Sequence, residues 1–417
     1  MNDHPFSRRE WLAGAGLVLG AGLGSPNPQD RSPRPAEAGS IPGTTLIEGR
    51  MEPWLEIDGA ALAHNATTLS RLSGNRQIVA MAKNNCYGMG LEVGGRLLDR
   101  LPEVWGFGVV RTREALALRG AGVRKPVVLM GPAGEEEAAD LVQRGVRLTA
   151  SSTGDRDLLE RLAARLDRPV PIHLYVDTGM HRMGIPHDRV LAWLESSTLR
   201  RAIRIEGTMT ELVEDQDYDR QQTARLKALA SQAAAGNLSL GRLHAASSDA
   251  LLRPTPETFL DLVRPGLALF GGYPTPESRA RNELRPGYRL KTRVIRLDRL
   301  APGEGVSYHH RFKATRPTLT ATLAIGHVDG YPAGAVKGCQ VLIRERLYPV
   351  IGTVSASHTV VVLEDGAPVA IGDEAVLVGP DRPELHPNEV AAVSGWSEYN
   401  MFMHLPAELP RISSEDR

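Results

Sequence analysis

Ile78-Val79-Ala80-Met81-Ala82-Lys83 is a short apolar run that ends directly on a charged side chain. Similar runs recur at residues 105–109, 127–130, 146–149, 172–176, 203–207, 243–245 and 261–263. Polar-patterned stretches separate most of them, at 111–120, 135–144, 155–166, 187–194 and 219–235. A helical pattern over 60–72 precedes the first run, with Leu62, Ala66, Leu69 and Leu72 on one face. Strand candidates that alternate with helix candidates imply a parallel sheet. Eight of them over roughly 190 residues predict an α/β chain built on a (β/α)8 TIM barrel. In such a barrel the active site lies at the C-terminal ends of the strands.

The texture changes at Tyr288. Residues 290–297 alternate polar and apolar, and short strand candidates follow at 319–325, 340–343, 348–354, 359–363 and 374–378. Glycine and proline punctuate them, and the next long helical pattern begins only at Val390. A C-terminal β-rich domain is expected here. The sequence thus divides into 1–50, a barrel over 51–285 and a β domain over 286–417.

Composition narrows the function classes. Of 417 residues, 49 are basic and 49 acidic, so a nucleic-acid coat or a polybasic membrane binder is excluded. Cys86 and Cys339 are the two cysteines, too few for a disulfide scaffold or a cysteine-built zinc ribbon. They are expected as free thiols or buried small residues. The histidines, His309-His310 included, lack metal-ligand spacing, and no metal is expected. Gly131-Pro132-Ala133-Gly134 follows a strand but lacks the lysine and hydroxyl residue of a phosphate-binding P-loop.

The first fifty residues read as an address. Ser7-Arg8-Arg9-Glu10-Trp11-Leu12 precedes an apolar, glycine-rich stretch and then a proline-rich segment. A twin arginine before a short apolar region is the pattern of a twin-arginine export signal. The apolar stretch is shorter than the roughly 20 residues a bilayer span needs. Ala36-Glu37-Ala38 has the form of a cleavage site. A periplasmic or extracytoplasmic location is expected, or a cytoplasmic one where the signal is not used.

Lys83 stands where the first barrel strand ends, which points its amine into the catalytic mouth. There it can form a Schiff base with a carbonyl group. Around it, Trp54-Leu55-Glu56-Ile57-Asp58, His64-Asn65 and Lys83-x-x-x-Tyr87-Gly88-x-Gly90 resemble the opening of the alanine racemase family. The resemblance continues in order through Asp177-Thr178-Gly179-Met180-His181-Arg182, His244-Ala245-Ala246-Ser247-Ser248, Val263-Arg264-Pro265-Gly266, Val306-Ser307-Tyr308 and Gly326-His327-Val328-Asp329-Gly330-Tyr331.

The resemblance implies a pyridoxal 5'-phosphate enzyme that racemises alanine or other small amino acids. It implies a homodimer whose sites are shared between subunits. Lys83 matches the lysine that holds the cofactor covalently and serves one face of the substrate. Tyr308, from the partner's β domain, matches the acid–base group of the other face. Arg264 matches the arginine at the pyridine nitrogen, where a fixed cation disfavours a protonated ring. Arg182 matches the arginine at the substrate carboxylate, a task suited to its two-pronged donor set. Tyr87, Ser248, Gly266, Leu267 and Tyr399 match positions around the cofactor phosphate. Asp177 and Asp329 are read as loop braces.

The chain also departs from the family pattern. Tyr175 stands where the family has a modified lysine, Glu211 where it has a histidine near the pyridine ring, Ser247 where it has asparagine, and His327 where it has a tyrosine at the substrate entry. Ala356 and Ser357 replace the substrate-contacting Met-Asp pair, and their smaller size predicts a pocket open to larger side chains. Glu211 is expected to pair with Arg264. Two rival readings remain: a same-fold pyridoxal-phosphate enzyme with another outcome, such as a decarboxylase, and a decayed site that only binds cofactor or amino acid.

Overall fold

The computed structural model describes residues 49–253 and 255–414. The twin-arginine stretch and the Ala36-Glu37-Ala38 triplet lie outside them. Strand β1 (Trp54–Ile57) comes first, followed by β2 (Gln77–Met81), β3 (Val104–Val109), β4 (Val127–Leu129), β5 (Val146–Ala150), β6 (Val170–Asp177), the two-residue β7 (Ile185–Pro186), β8 (Ile203–Met209), β9 (Arg242–His244) and β10 (Leu262–Val263). Eight of these form the barrel in the neighbour order β5-β4-β3-β2-β10-β9-β8-β6, closed by pairing of β5 with β6. Neighbours in the ring run parallel. Such strands are covered on both faces, so they read as continuous apolar runs. Residues 78–81 are buried at every position.

Helix Gly59–Leu72 starts because the Asp58 carboxylate accepts the Ala61 N–H at 2.9 Å, filling an otherwise unpaired donor. Its Leu62, Ala66 and Leu69 are fully buried, and each leucine contributes about 2 kcal/mol by that burial. Helices Thr112–Gly120, Glu135–Gln143, Asp155–Leu166 and Gln216–Ala235 match the helical patterns. The pattern over 187–194 yields only Val190–Leu194. Its first residues serve another bond, since the His187 N–H donates to the Asp177 carbonyl at 3.0 Å and extends the β6–β7 pairing.

The second sheet holds β11 (Tyr288–Leu300), β14 (Thr318–Leu323), β15 (Gln340–Ile343), β16 (Arg346–Ile351), β17 (Thr359–Leu363), β18 (Glu374–Val378) and β19 (Arg411–Ser413), while β12 (Gly305–Val306) and β13 (Phe312–Lys313) form a separate hairpin. Six antiparallel strands close on themselves because β11 is long enough to pair twice. Its residues 290–293 pair with β18, and 294–300 with β14.

One boundary is corrected. β1 belongs to this second sheet, antiparallel to β11 and parallel to β19, although the sequence places residues 51–57 with the barrel. The reason lies in Glu56. It is buried, and a buried carboxylate needs cations. Lys291 Nζ and Arg289 Nη1, both on β11, reach it at 3.0 and 3.5 Å. The junction at 285 is tied by Asn65, which donates to the Leu269 and Arg285 carbonyls at 3.1 and 2.8 Å and accepts the Arg285 N–H at 2.8 Å. Among the described residues, no helix is long and apolar enough to cross a membrane.

Candidate active site

A cavity of about 520 Å³ opens at the C-terminal mouth of the barrel, with Lys83, Arg182, Glu211 and Arg264 in its wall. Lys83 is presented by an uncommon turn. Asn84, Asn85, Cys86 and Tyr87 all have φ between 49° and 58°. A left-handed conformation costs an L-residue about 1–2 kcal/mol, least for asparagine. The turn is held from outside. Buried Glu114 accepts the Asn84 N–H at 2.7 Å and also the Val110 and Arg111 N–H groups at 3.1 and 3.0 Å. Asn85 Oδ1 accepts the Leu91 N–H at 3.1 Å. Gly88 closes the turn at φ 84°, where a Cβ would collide with the Phe402 carbonyl.

Tyr87 is carried by this turn onto Phe270, with ring centroids 5.2 Å apart. Its hydroxyl sits against Gly266, at the place where a Cβ would be. Ser248 Oγ accepts the Gly266 and Ala268 N–H groups at 3.0 and 3.1 Å, which leaves its own O–H to donate. Ser247 Oγ is buried without a partner and also borders the cavity. Tyr399 completes this wall, its phenol pushed up to about 12 by burial and then by Glu214. Burial also holds the Tyr87 phenol protonated. The wall therefore offers neutral donors.

Arg264 forms the opposite anchor. Its side chain is 3% exposed. Nη1 donates to the His244 carbonyl at 2.7 Å and to His244 Nδ1 at 3.1 Å. Nη2 donates to the Thr210 carbonyl at 2.7 Å and to Glu211 Oε2 at 3.0 Å. The expected pairing of Glu211 with Arg264 is thus present. Arginine has no lone pair to offer, so His244 Nδ1 must accept. Its Nε2–H then donates to His173 Nδ1, 2.9 Å away. Both imidazoles stay neutral. Burial lowers His173 to about 4, and burial with the Arg264 charge lowers His244 well below its usual range.

Arg182 projects from the loop after β6. Its side chain is 59% exposed and lies 3.6 Å from Glu211 Oε1. Asp177 braces that loop by accepting the Gly179 and His181 N–H groups, and Asp329 does likewise for Gly326.

The cavity brings together Lys83, Tyr87, Arg182, Glu211, Ser248, Arg264, Gly266 and Tyr399. It does not include Leu267, which is buried; the neighbouring Ala268 N–H donates to Ser248 Oγ. Tyr308, His327, Ala356 and Ser357 lie outside it, grouped on the β domain. The His327 N–H donates to the Ser355 carbonyl, the Val328 N–H to the Ala356 carbonyl, and Ser307 Oγ to the Thr353 carbonyl. Tyr308, on the segment joining β12 to β13, is 67% exposed. Sequence reasoning did not find Glu114 or the His173–His244 pair. Glu114 carried one signal, an acidic residue at the third position of its helix.

The two halves of the chain match two family models, alanine racemase N-terminal domain over residues 57–274 and alanine racemase C-terminal domain over 288–413. The chain belongs to the alanine racemase family. It is 31% identical over 367 residues to alanine racemase of Desulfovibrio desulfuricans, covering 87% of this chain and 98% of that one. It is 35% identical to the Aeromonas hydrophila enzyme over 331 residues, covering 79% and 90%. The solved alanine racemase of Streptomyces coelicolor superposes with a TM-score of 0.79 at 26% identity, covering 88% of this chain and 99% of that one. Members of this family depend on pyridoxal phosphate. The residues present fit that group: an amine at Lys83, the unpartnered Ser247 hydroxyl, and the neutral donors of Tyr87 and Ser248 on the same cavity wall.

Proposed function

We propose that the chain is a pyridoxal-phosphate-dependent racemase that interconverts L- and D-alanine. One observation carries this reading. Lys83 and Arg264 face a single cavity whose remaining walls offer Ser248, Gly266, Tyr87 and Tyr399 to a phosphate and Arg182 to a carboxylate. When bound, the cofactor supplies an electron sink that acidifies the Cα–H of an attached amino acid. Lys83 Nζ holds the cofactor and moves the proton on one face of Cα. Tyr308 Oη moves it on the other. Two bases favour racemisation over decarboxylation, which needs no second base. Arg264 would present a permanent cation to the ring nitrogen of the bound cofactor, with Glu211 offsetting part of its charge.

The site is shared in a homodimer on this reading. Support comes from Tyr308, exposed and grouped with His327, Ala356 and Ser357 away from its own chain's cavity. The small Ala356 and Ser357 extend the substrate range beyond alanine. The Ser7-Arg8-Arg9 leader supports export by the twin-arginine route.

The test is direct. Purified chain shows a cofactor absorbance that Lys83→Ala removes, and it abolishes the circular dichroism of L-alanine solutions. A colourless chain overturns the reading. A coloured chain that releases carbon dioxide without racemising alanine transfers it to decarboxylation.

A further inference from the structure

Glu211 joins two arginines of unequal freedom. Oε2 takes Arg264, which is buried and fixed by two carbonyls and His244. Oε1 faces Arg182, which is mostly exposed and belongs to a loop. A free arginine samples many rotamers, and holding one costs entropy. Here Glu211 draws Arg182 to the cavity wall that Tyr175 also lines, leaving the rest of its donor fork for the cavity.

The same carboxylate changes the charge of that wall. Two guanidiniums alone would attract two carboxylates. With Glu211 between them, the net charge of the trio is that of one cation. Glu214, a further carboxylate, also borders the cavity.

We propose that Glu211 is a positioning and specificity-determining residue: it anchors Arg182 to Arg264 and leaves positive charge for one carboxylate, so monocarboxylic amino acids are accepted and dicarboxylic ones rejected. This rests on the reading that the cavity takes an α-amino acid. A second carboxylate on the substrate meets Glu211 as a like charge, which disfavours the wrong ligand.

The test uses calorimetry on the purified holoenzyme with propionate and succinate as probes, separately from turnover of L-alanine. The wild type binds propionate more tightly than succinate. Glu211→Gln shifts the ratio of the two dissociation constants toward succinate by about tenfold or more. Glu211→Asp, which keeps the charge, preserves the ratio. Arg182→Gln weakens propionate by about tenfold or more. An unchanged ratio in folded Glu211→Gln overturns the proposal, as does an equal shift in Glu211→Asp, or full propionate affinity in Arg182→Gln. Wild-type carboxylate binding without alanine turnover fails the racemase reading while the charge-count result stands.

Discussion

The phenol oxygen of Tyr87 stands where a Cβ on residue 266 would have to be. Phe270 backs the aromatic ring, so it can yield only toward the cavity that it lines. Gly266→Ala is expected to displace Tyr87 and spoil the neutral donor wall. Cofactor affinity, followed by absorbance titration, should fall about tenfold or more, equivalent to at least 1.4 kcal/mol. Retained affinity would show that this contact is dispensable.

The proposed sharing of sites between subunits makes a quantitative demand on mixtures. Lys83→Ala and Tyr308→Phe chains should each be inactive alone. Unfolded together in equal amounts and refolded, half the dimers are hybrids, and each hybrid has one site with both intact groups. Activity should return to about a quarter of wild type. A mixture as inactive as its components places both groups in one chain.

Buried histidines set the acid limit of the fold. His173 is held to about 4 by burial, whereas an unfolded histidine titrates near 6.5. Between those values the unfolded chain binds a proton that the native chain refuses. The contribution is fully present above pH 6.5 and is lost as pH falls toward 4, by about 1.4 kcal/mol per pH unit. His386, lowered to about 3 by burial and then Arg279, acts in the same direction. Melting temperature should drop between about pH 7 and pH 5. A flat profile contradicts this account.

Cys86 sits three residues after Lys83, yet its side chain faces the core beside Gly94 and is fully buried. Burial, and then Glu114, push its thiol up to about 12. Cys339 is raised to about 11 by burial. Only the thiolate reacts with alkylating reagents. Neither cysteine should be modified in the native chain at about pH 8, and both should react on unfolding. Rapid native labelling of Cys86 would place it in the site rather than the core.

The barrel was legible because its strands are buried on both faces and therefore read as plain apolar runs. Lys83 was legible because strand ends are where a barrel puts its chemistry, whereas Ser248, Arg264 and Gly266 were legible through the resemblance to the family. β1 was not, since a four-residue strand looks alike in either sheet, and the partner that settles it, Lys291 against Glu56, is 235 residues away. Glu114 and Asn84 meet across 30 residues and His173 and His244 across 71. Such contacts follow from closure of the ring, which no local pattern encodes. The left-handed turn hid for another reason: a Cys-Tyr pair gives no warning of positive φ.

β1 lies between β11 and β19, so the first strand of the described chain is bordered on one side by its last. Synthesis runs from β1 toward β19, and residues 411–413 leave the ribosome after everything they pair with. The sheet edge beside Leu55 stays open until then. A product truncated before Pro410 lacks the carbonyl that receives the Leu55 N–H at 2.9 Å. Closing of this sheet edge therefore waits on the last strand of the described residues, and β1 is the strand whose pairing is finished last.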